Sequence, residues 1–241
     1  MCPTIYFKSY AFNVYFLSIL ISFFAASVYM YKNLGRIEGI RRSHLLWGIA
    51  GAFFIQFLGG ALIPNLYTLL YFQSFAPSKS SGRYFHSVFF SVLIYGLVLC
   101  KALRWPVKKC LDHYAIAAMI MSSIGRIGCF FQGCCSGKPT ALPWGVRFPD
   151  RPDVTVHPTQ IYSFALEFLI LVFLLWKNKH KTYDGQTFWT GVFWYSVYRF
   201  FIEFLRTNPL FLFGLTHAQV FSALSFALSV WVLLKHRPAK P

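Results

Sequence analysis

The sequence predicts an all-α polytopic membrane protein with seven transmembrane helices, its N-terminus outside and its C-terminus cytoplasmic, forming one membrane-integral domain over residues 1–241. Three observations carry this expectation. First, hydrophobic residues fill 56% of the 241 positions and charged residues only 12%, about half the charged share of an ordinary soluble domain. Second, apolar runs near bilayer-crossing length recur seven times. Third, Lys and Arg fall unequally between alternate connections. The composition excludes a disordered chain. The net charge of +16 would suggest a nucleic-acid partner in a water-soluble fold. With this hydropathy, the basic residues instead belong in loops flanking a membrane, and no nucleic acid is expected.

The apolar runs cover approximately Ala11–Tyr31, Leu45–Leu70, Phe85–Leu103, Tyr114–Phe131, Thr159–Trp176, Phe188–Leu205 and Leu215–Leu234. A bilayer core takes about 20 residues of helix. The second run is over-long and carries Gly59-Gly60 and Pro64, so a break or kink is expected there. The first run lacks a small-residue cleavage site and reads as a membrane helix, not a removed signal. Cys2 precedes any apolar segment and is not a lipoprotein acylation site.

Orientation follows from the loops. One set of connections holds Lys32, Arg36, Arg41, Arg42, Lys101, Arg104, Lys108, Lys109, Lys177, Lys179, Lys181, Lys235, Arg237 and Lys240, fourteen in all. The alternate set holds seven: Lys8, Lys79, Arg83, Lys138, Arg147, Arg151 and Arg206. The positive-inside rule makes the first set cytoplasmic. The longest connection, Gln132 to Pro158, then lies outside. Its density of Gly and Pro marks a loop of functional type.

Polar residues inside an apolar span need a partner or a task, because an ionised side chain there costs about 2.5–3.5 kcal/mol even on lenient scales. Tyr195, Arg199, Glu203 and Arg206 share one face of the sixth span. They read either as a structural Arg199–Glu203 pair or as a cationic wall facing an anion. Gln160, Ser163 and Glu167 form a second stripe on the fifth span. The topology puts His86, Arg126, Gln160, Arg199 and Arg206 at similar depth, toward the outer leaflet. Arg suits phosphate through its planar bidentate fork, and a lipid phosphate is the anion present at that depth. His86 is the candidate proton acceptor. His44, His113, His180 and His236 fall at cytoplasmic headgroups, and His217 is given no role. Cys129, Cys134 and Cys135 cluster at the outer end of the fourth span. Even with His157 added, their spacing matches no common ligand pattern, so no metal is expected. A disulfide stays open if the outer compartment is oxidising. Cys100 and Cys110, near the inner face, are expected to stay reduced.

The same residues carry a resemblance. Gly125-Arg126-Ile127-Gly128-Cys129-Phe130-Phe131-Gln132-Gly133-Cys134-Cys135-Ser136-Gly137-Lys138-Pro139-Thr140, followed by Pro143-Trp144-Gly145-Val146-Arg147-Phe148-Pro149, resembles the Gly-Arg signature block of the prolipoprotein diacylglyceryl transferases. His157-Pro158-Thr159-Gln160-Ile161-Tyr162 with Glu167 is similar to a second motif of that family. Tyr195 to Arg206 is similar to a third, and Ser81-Gly82-Arg83-Tyr84-Phe85-His86 to a shorter one.

The resemblance implies a reaction: the diacylglyceryl group of phosphatidylglycerol moves to the thiol of a lipobox cysteine in a preprolipoprotein, and glycerol-1-phosphate leaves. It implies a multi-pass protein of the bacterial cytoplasmic membrane, with its active site toward the outer leaflet and no cofactor. Arg126 and Arg199 would hold the phosphate and His86 would act as base. Arg206 would stand near the entrance, Glu203 would orient Arg199, and Tyr195 and Gln132 would position the headgroup. Gly133, Gly137 and Gln160 would complete the substrate site. The sequence departs from the family pattern around this site. Cys129 replaces an Asn, Cys134 a Glu, and Ser163 another Glu; Ser87-Val88 replaces a Gly pair, and the Arg expected after Gly59-Gly60 is absent. The alternative readings are a membrane lipid transferase with another acceptor and a non-catalytic phospholipid-binding protein.

Overall fold

The computed structural model describes residues 4–7, 10–72 and 81–236, with side chains for 13–58 and 88–236. A short antiparallel hairpin, β1 (Thr4–Phe7) and β2 (Tyr10–Asn13), leads into α1 (Val14–Leu34). Then come α2 (Arg42–Phe72), α3 (Ser81–Ala102) and α4 (Val107–Gln132). The hairpin β3 (Val146–Phe148) and β4 (Arg151–Val156) separates α4 from α5 (Thr159–Lys179). After α6 (Gln186–Ile202), a single 3-10 turn covers Glu203–Leu205. A last hairpin, β5 (Leu210–Leu212) and β6 (Leu215–Thr216), delivers the chain to α7 (His217–Lys235).

The protein is helical, with seven helices among the described residues, and α1, α4, α5 and α7 are each long and apolar enough to cross a membrane. The three hairpins were not expected from the sequence; one precedes α1 and the other two join α4 to α5 and α6 to α7. The expected interruption of the second span is not a break. α2 runs as one helix through Gly59-Gly60 and Pro64, since a proline removes one backbone donor without forcing a helix of this length to end.

The chain divides into two compact units, residues 1–26 with 111–241, and residues 27–110. In the second unit, α2 packs on α3 at glycines: Gly48 lies against Leu99 and Gly51 against the Tyr95 ring, with no room for a Cβ at either. Its core gathers Leu34, Ile40, Leu45, Cys100, Trp105 and Cys110 where helices meet their connections. In the first unit, α6 packs between α5 and α7. Gly128 of α4 sits directly against Ser18 of α1.

The spans are inside-out amphipathic. α5 buries Thr159, Gln160, Ser163 and Glu167, while Phe168, Leu169, Val172 and Trp176 point outward. An exposed apolar face over a buried polar stripe is the arrangement that lipid favours and water does not.

Helix ends are fixed by specific acceptors. Asn13 Oδ1 accepts from the backbone of Tyr15 and Phe16 at the start of α1. Thr216 and Gln219 form a reciprocal capping box on α7. The start of α6 is held from a distance. Asp112, fully buried on α4, accepts from the backbone N–H of Gly185 and Phe188 (both 2.9 Å) and from Lys181 Nζ at 2.7 Å. Its charge also complements the positive end of the α6 dipole. Burial pulls the Lys181 ammonium down, but the hydrogen bonds and charges of Asp112 and Asp184 outweigh it and hold it above the ordinary lysine range. The contribution of that lysine is therefore full below the unfolded value and fades only as pH rises through the folded one.

Asp112→Ala is expected to destabilise the fold by about 1–3 kcal/mol, since it leaves two helix-terminal backbone donors without their buried acceptor. Thermal unfolding in detergent micelles checks this; an unchanged midpoint would show that Asp112 does not anchor α6.

Candidate functional site

All of the site described here lies in the unit formed by residues 1–26 and 111–241. Arg126 sits two turns before the end of α4. Its Nε donates to Glu167 Oε1 at 3.1 Å, and a terminal nitrogen lies 3.1 Å from the same oxygen. Tyr198 of α6 donates its hydroxyl to that oxygen too, and receives Arg126 at 3.5 Å. Three helices thus converge on one carboxylate atom. Glu167 is 0% exposed, and its Oε2 has no hydrogen-bond partner among the described residues.

A second buried pair stands on α6. Arg199 donates to Glu203 Oε2 at 2.7 Å, across one helical turn. The other oxygen of Glu203 accepts from Thr216 Oγ1 at 3.0 Å and from Asn208 Nδ2. The carboxylate therefore ties α6 to the cap of α7. The Tyr195 ring meets Tyr198 edge-on at 5.1 Å, within electrostatic reach of Arg126, Glu167 and Arg199.

Arg206 follows the 3-10 turn and is 7% exposed. Its backbone donates to Glu203 O at 3.0 Å and pairs with Gly137. No carboxylate among the described residues forms an ion pair with its guanidinium. Arg126 and Arg199 are thus each paired with a buried carboxylate, and Arg206 with none among the described residues.

The loop after α4 is laced to this frame. Gly133, at φ +76°, ends α4 in the left-handed conformation that glycine adopts readily. Thr159 Oγ1 and Gln160 Nε2, in the first turn of α5, donate to the carbonyls of Cys135 and Cys134, each at 2.7 Å. Gly137 is wedged where a Cβ would stand 2.7 Å from both Leu205 O and His157 Cβ. Lys138 N donates to Leu205 O at 2.7 Å. Trp144 Nε1 donates to the Tyr162 hydroxyl at 2.7 Å and closes the outer turn of the loop onto α5.

Of the residues expected at the site, Arg126, Tyr195, Arg199, Glu203, Arg206 and Gln160 all stand on α4, α5, α6 or the turn after it. Gly133 and Gly137 shape the loop backbone, and Gln132 is exposed at the end of α4. Gln160 spends its amide nitrogen on the loop, so it positions Cys134 directly. His86 falls on α3, and its side chain lies outside the described residues.

Two features were missed. Tyr198, three residues after Tyr195 and beside it on the helix, was not singled out, although the spacing places it next to that face. Glu167 was legible as part of the α5 stripe, and a buried carboxylate in a span calls for a cation. The sequence did not say which cation. The structure also brings the sulfurs of Cys129, Cys134 and Cys135 within 4.8 Å of one another, close enough to share a metal ion.

A helical membrane protein with paired and unpaired buried arginines beneath a laced loop belongs to the class that handles anionic lipid groups inside a bundle. The sequence model described as prolipoprotein diacylglyceryl transferase matches residues 4–235, and the chain belongs to that family. Among curated relatives, phosphatidylglycerol–prolipoprotein diacylglyceryl transferase of Clostridium tetani is 34% identical over 200 residues, 76% of this chain and 77% of the relative. The enzyme of the same name from Campylobacter lari is 28% identical over 235 residues, covering 91% and 86%. That from Geobacter sulfurreducens is 31% identical over 191 residues, covering 68% and 73%.

Glu167→Gln leaves Arg126 buried without its counter-charge and is expected to cost about 3–5 kcal/mol. Gly137→Ala drives a methyl group into the Leu205 carbonyl and is expected to cost about 1–3 kcal/mol. Chemical or thermal unfolding of each variant against wild type measures both. A Gly137→Ala protein as stable as wild type would mean that the loop is not held at the distance observed.

Proposed function

We propose that this chain transfers the diacylglyceryl group of phosphatidylglycerol to the cysteine thiol of a prolipoprotein and releases glycerol-1-phosphate. Its family membership and the names of its relatives support this. The structural observation that carries it is that Arg126 and Arg199 are each paired with a buried carboxylate, while the buried Arg206 has no carboxylate partner among the described residues. In a low-dielectric bundle an unneutralised guanidinium favours an anion strongly.

The chemistry follows from the groups. The acceptor thiol loses its proton, because the thiolate is the nucleophile. Sulfur attacks the glyceryl carbon that carries the phosphate ester. The carbon–oxygen bond breaks, and the electron pair leaves with the phosphate oxygen. Negative charge grows on that leaving group, where preplaced guanidinium donors stabilise it. Arg126 and Arg199 take this role, each oriented by its carboxylate. Arg206 receives the incoming headgroup, with Tyr195, Gln160 and Gln132 around it. His86 is the base on the sequence argument. The acceptor segment is a lipobox, and the remaining contacts are membrane lipids.

This reading includes the finer topology: seven spans with the N-terminus outside, in the bacterial cytoplasmic membrane, and the reaction toward the outer leaflet. The loop asymmetry of Lys and Arg supports that orientation.

Purified protein mixed with phosphatidylglycerol and a lipobox peptide should yield a peptide heavier by one diacylglyceryl group in mass spectrometry. Arg126→Ala and Arg199→Ala are each expected to lower the rate at least 100-fold, as loss of a transition-state donor does. His86→Ala should lose transfer while still binding phospholipid. Transfer at the wild-type rate in His86→Ala would remove it as the base. Lipid binding without any transfer by the wild type would favour a non-catalytic binder.

A further inference from the structure

We propose that Cys129, Cys134 and Cys135 form a binding site for one soft divalent cation of the zinc type, with three protein thiolates and a fourth position open to an exogenous thiol. The metal site stands on its own geometry; the identity of the incoming thiol rests on the transferase reading.

The three Sγ atoms lie within 4.8 Å of one another. Tetrahedral zinc with Zn–S near 2.3 Å sets sulfur–sulfur separations of about 3.8 Å. Closing the cluster on a metal therefore takes about 1 Å of side-chain movement, within rotamer reach and without backbone change.

The backbone that presents the sulfurs is held. Cys129 stands on the last turn of α4, and Gly133 turns the chain back at φ +76°. Cys135 adopts φ +64°, a left-handed conformation that a non-glycine residue takes only at a cost. The 2.7 Å bonds from Thr159 and Gln160 to the carbonyls of Cys135 and Cys134 fix that conformation. The sulfur of Cys134 also points back to the Cys129 carbonyl at 3.7 Å. None of the three residues is fully buried, so the cluster is reachable from outside.

Charge favours the site. A dication with three thiolates carries a net charge of −1, and Arg126, one turn before Cys129, is within electrostatic reach of it. Thiolates select zinc and related soft ions over magnesium or calcium. The group has three ligands among the described residues, not four. Sites with three protein ligands are those that keep a position for water or substrate. A thiol entering that position binds as thiolate, its proton taken up by the reaction's base. In the proposed reaction the acceptor is a thiol, so the metal would hold the nucleophile in its reactive form before the sulfur–carbon bond forms.

The test uses the full-length protein, reduced, loaded with zinc or cobalt(II) and desalted, with no lipid present. One zinc per chain is expected by elemental mass spectrometry, with a sulfur-to-metal charge-transfer band in the cobalt form. Cys129→Ser, Cys134→Ser and Cys135→Ser should each weaken binding at least 100-fold, whereas Cys100→Ser and Cys110→Ser leave it unchanged. If a serine variant fails to fold, displacement of cobalt by cadmium from the wild type, read from the same band, gives the answer instead. Adding N-acetylcysteine amide should shift the visible cobalt bands. Absence of the charge-transfer band, or equal metal content in wild type and a folded triple serine variant, overturns the site. An unshifted spectrum on adding the thiol overturns the open position. Full transfer activity in metal-free protein overturns the role given to the bound thiol and leaves the transferase reading intact. Metal binding without transfer does the reverse.

Discussion

A guanidinium buried among apolar helices must be neutralised or must hold an anion, and that constraint organises this protein. Arg126 meets its carboxylate from α5 and a hydroxyl from α6, which locks three helices to one oxygen of Glu167. Arg199 meets Glu203 one turn away, and Glu203 in turn holds the cap of α7. The polar stripes of α5 and α6 therefore face inward, and their apolar sides are left for lipid. Helix packing and site geometry are set by the same few contacts, so the site cannot be altered without loosening the bundle.

The loop between α4 and α5 depends on that frame. Its first turn is set by Gly133, and its middle is held by Thr159 and Gln160 from below. Gly137 lies where backbone, His157 and Thr159 leave no space for a side chain. A loop this tightly held can keep a reacting group in place. The departures from the family pattern at Cys129 and Cys134 flank the turn at Gly133, one on the last turn of α4 and one in the held loop.

The parts legible in the sequence were the local ones. Arg199 and Glu203 lie four residues apart on one helix, so their pairing follows from helical spacing alone. The polar stripe of α5 was visible in the same way, and the apolar runs located the helices to within a few residues except at the start of α4, which begins at Val107, seven residues before the run. Contacts between distant segments were not visible. Arg126 and Glu167 are separated by a loop and two hairpin strands, and spacing along the chain says nothing about which acid will face which base. Nothing in the sequence around Asp112 pointed to the start of α6, more than seventy residues on, that it holds. The cysteines matched no ligand spacing, because a left-handed turn at Cys135, and not a sequence repeat, brings their sulfurs together. The short hairpins were missed because strands of two to six residues carry too little periodicity to register.

The central claim is that Arg206, with no carboxylate partner among the described residues, receives the incoming headgroup, while Arg126 and Arg199 hold the phosphate. Its most direct test is the affinity of the protein for phosphatidylglycerol, measured by native mass spectrometry with wild type and Arg206→Gln. A charge-assisted contact contributes about 1.5–3 kcal/mol, so binding should weaken at least tenfold, with a smaller loss for a zwitterionic phospholipid, whose ammonium offsets the phosphate charge. Equal retention of phosphatidylglycerol by both proteins would contradict the account.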